Sequence, residues 1–122
     1  MNNQKKTPFN TYLDEISGQP LLSDAEEQSL ARRIQQGDSR AVDELMRPNL
    51  PFAVSLAGQY KHRGLDMEDL VSEGNMGMLK AAMRFDGRQG KRFVAFAAPY
   101  IREAIEQAIE QQVGLYRVPR DV

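Results

Sequence analysis

Between Asp66 and Phe85 the chain reads DMEDLVSEGNMGMLKAAMRF, a stretch that constrains the fold more than any other. Leu70, Val71, Gly74, Gly77, Met78, Ala81 and Phe85 recur at intervals of three and four residues, which is the spacing of one helix face and not the two-residue alternation of a strand. Two glycines on that stripe cost about 1 kcal/mol each in helix propensity, so their presence predicts a second helix packed closely against this one. Asp66 is the cap, and Glu68 and Asp69 suit the positive end of the helix dipole. The opposite side carries Ser72, Asn75, Met76, Leu79 and Met83, with Asp69 at its margin. A second packing layer and an exposed partner-binding face both fit that pattern, and methionine flanked by acids suits a protein interface.

The same periodicity runs through the rest of the chain and strand signals are almost missing, so the predicted fold class is all-α. Residues 1–7 are polar and read as disordered; Phe9, Tyr12, Leu13 and Ile16 predict a short helix ending near Gly18. Ser23 with Glu26 three residues on is a capping box that opens a helix through Leu30, Ala31 and Ile34 to Gly37. Asp38 or Ser39 caps the next helix, which turns Ala41, Val42, Leu45 and Met46 inward and stops before Pro48. Another begins at Asn49 with Pro51 in its first turn, where a missing N–H costs nothing, and runs to Gly64. In the last helix Pro99 cannot donate to Ala95, which predicts either a start near Ala98 or a kink.

Composition narrows the function more than the fold. A chain of 122 residues fits one domain, and its net charge of −1 means any electrostatic case must be local. The absence of cysteine removes disulfides, thiolate zinc sites and a thiol nucleophile. The opening MNNQKKTPFN lacks a signal-peptide core and no run of about 20 apolar residues could span a bilayer, which reads as a soluble, cytoplasmic chain without membrane contact. His62, between Lys61 and Arg63, is a surface basic residue and not a metal ligand. Glu68, Asp69 and Glu73 are dipole partners, and GRQG is a turn without the Lys-Ser/Thr ending of a phosphate loop. No enzyme, metal or cofactor is expected. Lys80, Arg84, Arg88, Lys91 and Arg92 against Asp86 give +4 over residues 80–92, and Phe85, Phe93, Phe96 and Tyr100 surround them. Cations interleaved with rings suit single-stranded nucleic acid, although any one ring at helical spacing also suits the core, as is expected of Phe93.

With NLPFAVSLAGQYKHRGLDMEDLVSEGNMGMLKAAMRFDGRQGKRFVAFAAPYIREAIEQAI in view, the chain resembles the second domain of bacterial RNA polymerase sigma factors of the housekeeping class, from about Tyr12 to Pro119. YLDEISGQPLLSDAEEQSLARRIQQGD resembles the helical segment just upstream. The resemblance implies a compact all-helical bundle over residues 8–122, with the upstream segment at 8–47, the core-binding and DNA-melting helices at 49–113 and the start of a linker at 114–122. It implies core RNA polymerase as partner, through the clamp helices of the largest subunit, and promoter DNA, above all the single-stranded minus-ten region, with an anti-sigma factor as a further candidate. Carried over by position, the polymerase-binding residues are Asn49, Leu50, Asp69, Ser72, Glu73, Asn75 and Leu79, which tips the two-way choice above towards an exposed face. The DNA-binding residues are Arg84, Phe85, Lys91, Arg92, Phe96, Tyr100, Glu103 and Glu106. Several positions depart from the family: Pro51 replaces an arginine, Ser72 a glutamine, Lys91 a tyrosine, and Pro99 with Tyr100 a tryptophan pair. Glu103 and Glu106 stand where glutamine and threonine approach the duplex, so with Glu110 an acidic stripe lies where phosphate is expected. A polymerase-binding regulator that has lost promoter reading is the rival implied by those departures.

Overall fold

In the computed structural model residues 7–116 are described, with side chains to Gln112. Six helices follow one another: α1 (Pro8–Ile16), α2 (Asp24–Gln35), α3 (Ser39–Met46), α4 (Leu50–Gly58), α5 (Met67–Arg84) and α6 (Phe93–Tyr116), with a 3₁₀ turn at Arg47–Asn49 between α3 and α4. No strand occurs among the described residues. The expected disorder of residues 1–7 falls outside them except at Thr7, which is ordered: its Oγ1 accepts from the Asn10 N–H at 3.0 Å and caps α1. The predicted linker start lies mostly outside the described residues, and α6 runs on to Tyr116.

The helix starts follow their capping chemistry. Ser23 Oγ accepts from the Glu26 N–H at 3.1 Å while Glu26 Oε1 accepts from the Ser23 N–H at 2.7 Å, closing the box that opens α2. Asp38 Oδ1 accepts from the Arg40 N–H and Asp66 Oδ1 from the Asp69 N–H, both at 3.0 Å, opening α3 and α5. α4 stops at Gly58, short of the predicted Gly64. Beyond it the amides of Gln59, Tyr60 and Lys61 reach back only three residues, and His62 adopts a left-handed φ of 67° that no helix continues through.

The closest and most extensive pairing is α5 on α6. Along α6 the buried residues are Phe93, Ala97, Ile101, Ile105 and Ile109, one every four residues, so a single row faces α5. Opposite them Gly74 and Gly77 remove the side chains that would hold the helices apart. A Cβ on Gly77 would collide with the Tyr100 carbonyl oxygen and lie 2.9 Å from Ile101 Cα. The helix is unbroken through Pro99, which overturns the predicted start near Ala98. Pro99 removes one bond, to the Ala95 carbonyl, and Ala95 is exposed, so water can take that acceptor. Burial of Phe93 and Ala97 before the proline and of Ile101 after it holds both sides on α5, and each large apolar side chain contributes about 1.5–3 kcal/mol.

Candidate functional site

The outer face of α5 is a surface and not a second packing layer. Asp69 and Ser72 are exposed, Glu73 and Leu79 half-buried, and Met76 and Met83 retain 61% and 55% of their surface. These methionines lie two turns apart, with Leu79 between them, so they form one apolar ridge edged by acids. Two residues expected on this face are placed differently. Asn49 is 3% exposed, and its Nδ2 donates to the Leu45 carbonyl at 2.8 Å, where it satisfies an acceptor at the end of α3 and offers nothing outward. Asn75 is half-covered by α1: its Nδ2 donates to Tyr12 Oη at 3.0 Å, while its Oδ1 is buried without a partner among the described residues. Leu50 is half-buried against the core.

At the C-terminal end of α5 a ladder of rings leads from the core to the surface. Phe93 and Phe85 meet edge to face with centroids 5.3 Å apart, Phe85 and Phe96 are 5.4 Å apart, and Phe96 and Tyr100 are again 5.4 Å apart. Phe93 is core, as expected. Phe85, expected at the nucleic-acid face, is 2% exposed and has no open face for a base, because it continues the buried stripe four residues after Ala81. Its role is to back Phe96. Phe96 and Tyr100 are the partly exposed rings, and the Arg84 guanidinium sits over the Tyr100 ring at 5.8 Å. The outer end of the ladder therefore presents a cation and two rings together, the combination that holds a single strand by phosphate and by stacking.

The +4 counted along residues 80–92 is smaller in three dimensions. Arg88 pairs with Asp86 at 3.2 Å, and the Arg88 N–H on its carboxylate holds Asp86 below the usual carboxylate range. Arg92, expected on phosphate, instead donates Nε to Glu27 Oε1 at 3.0 Å and Nη2 to the Leu22 carbonyl at 2.6 Å. Lys80, Arg84 and Lys91 remain exposed and outside ion pairs among the described residues. The acidic stripe is also modified: Glu103 and Glu110 are exposed, but Glu106 accepts from Tyr60 Oη at 2.9 Å. Burial and then the Glu106 carboxylate push the Tyr60 phenol up, so it stays a donor. Arg63 lies 5.7 Å from the same ring, so Tyr60 links the loop after α4 to α6.

Glu27, Tyr60 and Tyr12 carry contacts that no sequence signal indicated, because each partner lies at least 46 residues away. Among the described residues no cluster of His, Asp and Glu could hold a metal, and no helix is long and apolar enough to cross a membrane.

Comparison with known proteins points one way. A family model described as Sigma-70 region 2 matches residues 45–113, and a second, described as Sigma-70 factor, region 1.2, matches residues 8–40. The chain is similar to RNA polymerase sigma factor RpoS of Coxiella burnetii, 42% identical over 112 residues, or 92% of this chain and 32% of the relative. It is 44% identical over 112 residues to RNA polymerase sigma factor SigA of Clostridium acetobutylicum and to that of a Bacillus species, in each case 92% of this chain and 30% of the relative. The chain thus spans about a third of the length of these curated relatives.

Proposed function

Since the chain belongs to the sigma-70 family, carrying its region 1.2 and region 2, we propose that it binds core RNA polymerase through the outer face of α5 and engages single-stranded promoter DNA in the minus-ten region through the outer end of the ring ladder. The observation that carries this reading is the continuity of the two surfaces on one rigid helix. The ridge of Met76, Leu79 and Met83 leads along α5 to Arg84, which lies over Tyr100. A partner helix laid on the ridge beside Asp69, Ser72 and Glu73 would place a single strand at Arg84, Lys91, Phe96 and Tyr100. The clamp helices of the largest polymerase subunit are the proposed docking partner. The protein supplies position and charge and no catalytic group.

Leu79→Lys and Asp69→Ala test the polymerase face. Both side chains are at least partly exposed, so either change should weaken capture of core polymerase while far-ultraviolet circular dichroism stays at the parent value. Undiminished capture by both variants would remove α5 as the docking face.

A second reading, a polymerase-binding regulator that does not read promoters, is favoured by the exposed acids Glu103 and Glu110 and by the engagement of Arg92 with Glu27. Each exposed carboxylate raises the energy of nearby phosphate by roughly a few tenths to 1 kcal/mol at moderate salt. The two readings separate on one result, whether the chain in complex with core polymerase binds a single strand.

A further inference from the structure

Helix α6 starts without a cap of its own. Its first hydrogen bond runs from the Phe96 N–H to the Arg92 carbonyl, which makes Arg92 the capping position, and a guanidinium has no acceptor to offer the first-turn amides. The preceding loop, DGRQGK, contributes none that reaches the Phe93 amide. The acceptor comes instead from the upstream segment: Glu27 Oε1 accepts from the Phe93 N–H at 2.9 Å and from Arg92 Nε at 3.0 Å. Glu27 is 3% exposed, the one buried carboxylate among the described residues. Two charge-assisted bonds and the positive end of α6 stabilise a charge that would otherwise be costly to bury. Arg92 also donates to the Leu22 carbonyl, so the tie fastens both α2 and the irregular segment leading into it to the start of α6.

We infer that Glu27 is a positioning residue for the DNA-facing helix. It fixes the first turn of α6, and with it Phe96 one turn on, and it withholds Arg92 from phosphate. The upstream segment thereby sets how the ring ladder is presented, and Arg92 is a strut and not a phosphate ligand. The consequence for DNA rests on the function proposed above, whereas the capping role does not.

The experiment uses the full chain and three variants, Glu27→Ala, Glu27→Gln and Arg92→Ala, with two readouts. The first is amide hydrogen exchange at Phe93 and Phe96, referred to Leu56 and Ala57 in α4. Glu27→Ala should lower protection at Phe93 by about tenfold to a hundredfold, the usual worth of a hydrogen bond to a charged group. Glu27→Gln, which keeps a neutral acceptor, should fall between Glu27→Ala and the parent, with α4 unchanged throughout. Equal Phe93 protection in all of them overturns the inference. The second readout is the salt dependence of binding to an oligothymidine single strand. Arg92→Ala should leave the log–log slope unchanged, and Glu27→Ala should steepen it by about 0.7 as Arg92 becomes available to one phosphate. A slope that becomes shallower by about 0.7 in Arg92→Ala would show Arg92 already on phosphate and refute the strut. That arm needs only a folded Arg92→Ala protein, so it decides even where Glu27→Ala does not fold. A parent that binds no single strand even in complex with core polymerase would contradict the proposed function, while the exchange order would still decide the role of Glu27.

Discussion

Gly77→Ala adds one methyl group at the tightest point of the α5–α6 interface. The new Cβ would run into the Tyr100 carbonyl oxygen and approach Ile101 Cα at 2.9 Å. Both are backbone atoms of a helix pinned by Ile101, Ile105 and Ile109, so the clash is relieved only by separating the helices, and gaps then open along the row. Overpacking of this kind costs about 1–3 kcal/mol, with the upper half of the range fitting a backbone obstacle, and the helix-propensity gain of Ala over Gly offsets at most about 1 kcal/mol. A net loss of about 2 kcal/mol lowers the melting temperature of a domain this size by roughly 8 °C. Two other glycines calibrate the result. At Gly74 the atoms nearest a Cβ are Ile101 Cγ2 and Ile105 Cδ1, both at 3.3 Å and both on side chains that can shift, so Gly74→Ala should be milder. At Gly58 the nearest atom is Met67 Cε at 3.8 Å, so Gly58→Ala should be neutral or slightly stabilising. Thermal unfolding followed by circular dichroism gives the order. A Gly77→Ala protein as stable as Gly58→Ala would refute the close-packing account of both glycines.

Replacing Glu103, Glu106 and Glu110 together with Gln should raise duplex-DNA affinity at low salt, with a gain that shrinks as salt rises, because charge changes while shape is kept; unchanged titrations would place that stripe away from DNA. Tyr12→Phe leaves Asn75 Nδ2 without its partner at 3.0 Å and should lower the unfolding free energy by about 1 kcal/mol in urea titration. Pro99→Ala restores the bond to the Ala95 carbonyl and should raise the melting temperature, since an interior proline costs about 3 kcal/mol where it is not relieved; no rise would mean the helix already absorbs the proline without strain. Hydrogen bonds from Arg33 hold both Asp38 and Glu44 below the usual carboxylate range. Their folded pKa values are depressed, so the stability they contribute is present above the unfolded value of about 4 and is lost as pH falls through the folded value. The melting temperature should drop in that acid window, and less so in Arg33→Gln.

Much of the helix pattern was legible because its signals are local. Ser23 with Glu26, Asp38 and Asp66 announce helix starts through bonds that span at most three residues, and the glycines on the α5 stripe announce a close neighbour. Periodicity left the outer face of α5 open between core and surface, since both use the same spacing; the exposure of Met76 and Met83 resolves it. Four expected site residues sit elsewhere than on an open surface for one shared reason, that sequence position does not reveal what other elements cover; Asn75, for one, is bonded by Tyr12 of α1. Asn49 turns back on α3, Phe85 lies beneath Phe96, and Arg92 is tied to a glutamate 65 residues away. The continuity of α6 through Pro99 was hidden likewise, because local cost predicts a break and only the tertiary row of buried residues outweighs it.

The most direct test of the central claim is to mix the chain with core RNA polymerase, isolate the complex by size exclusion, and probe a promoter fragment with a single-strand-specific nuclease. The chain should elute with the core enzyme and one strand near the minus-ten region should be protected, with protection weakened by replacing Tyr100 with Ala. A chain that elutes apart from the polymerase, or a complex that protects neither strand, would contradict that claim.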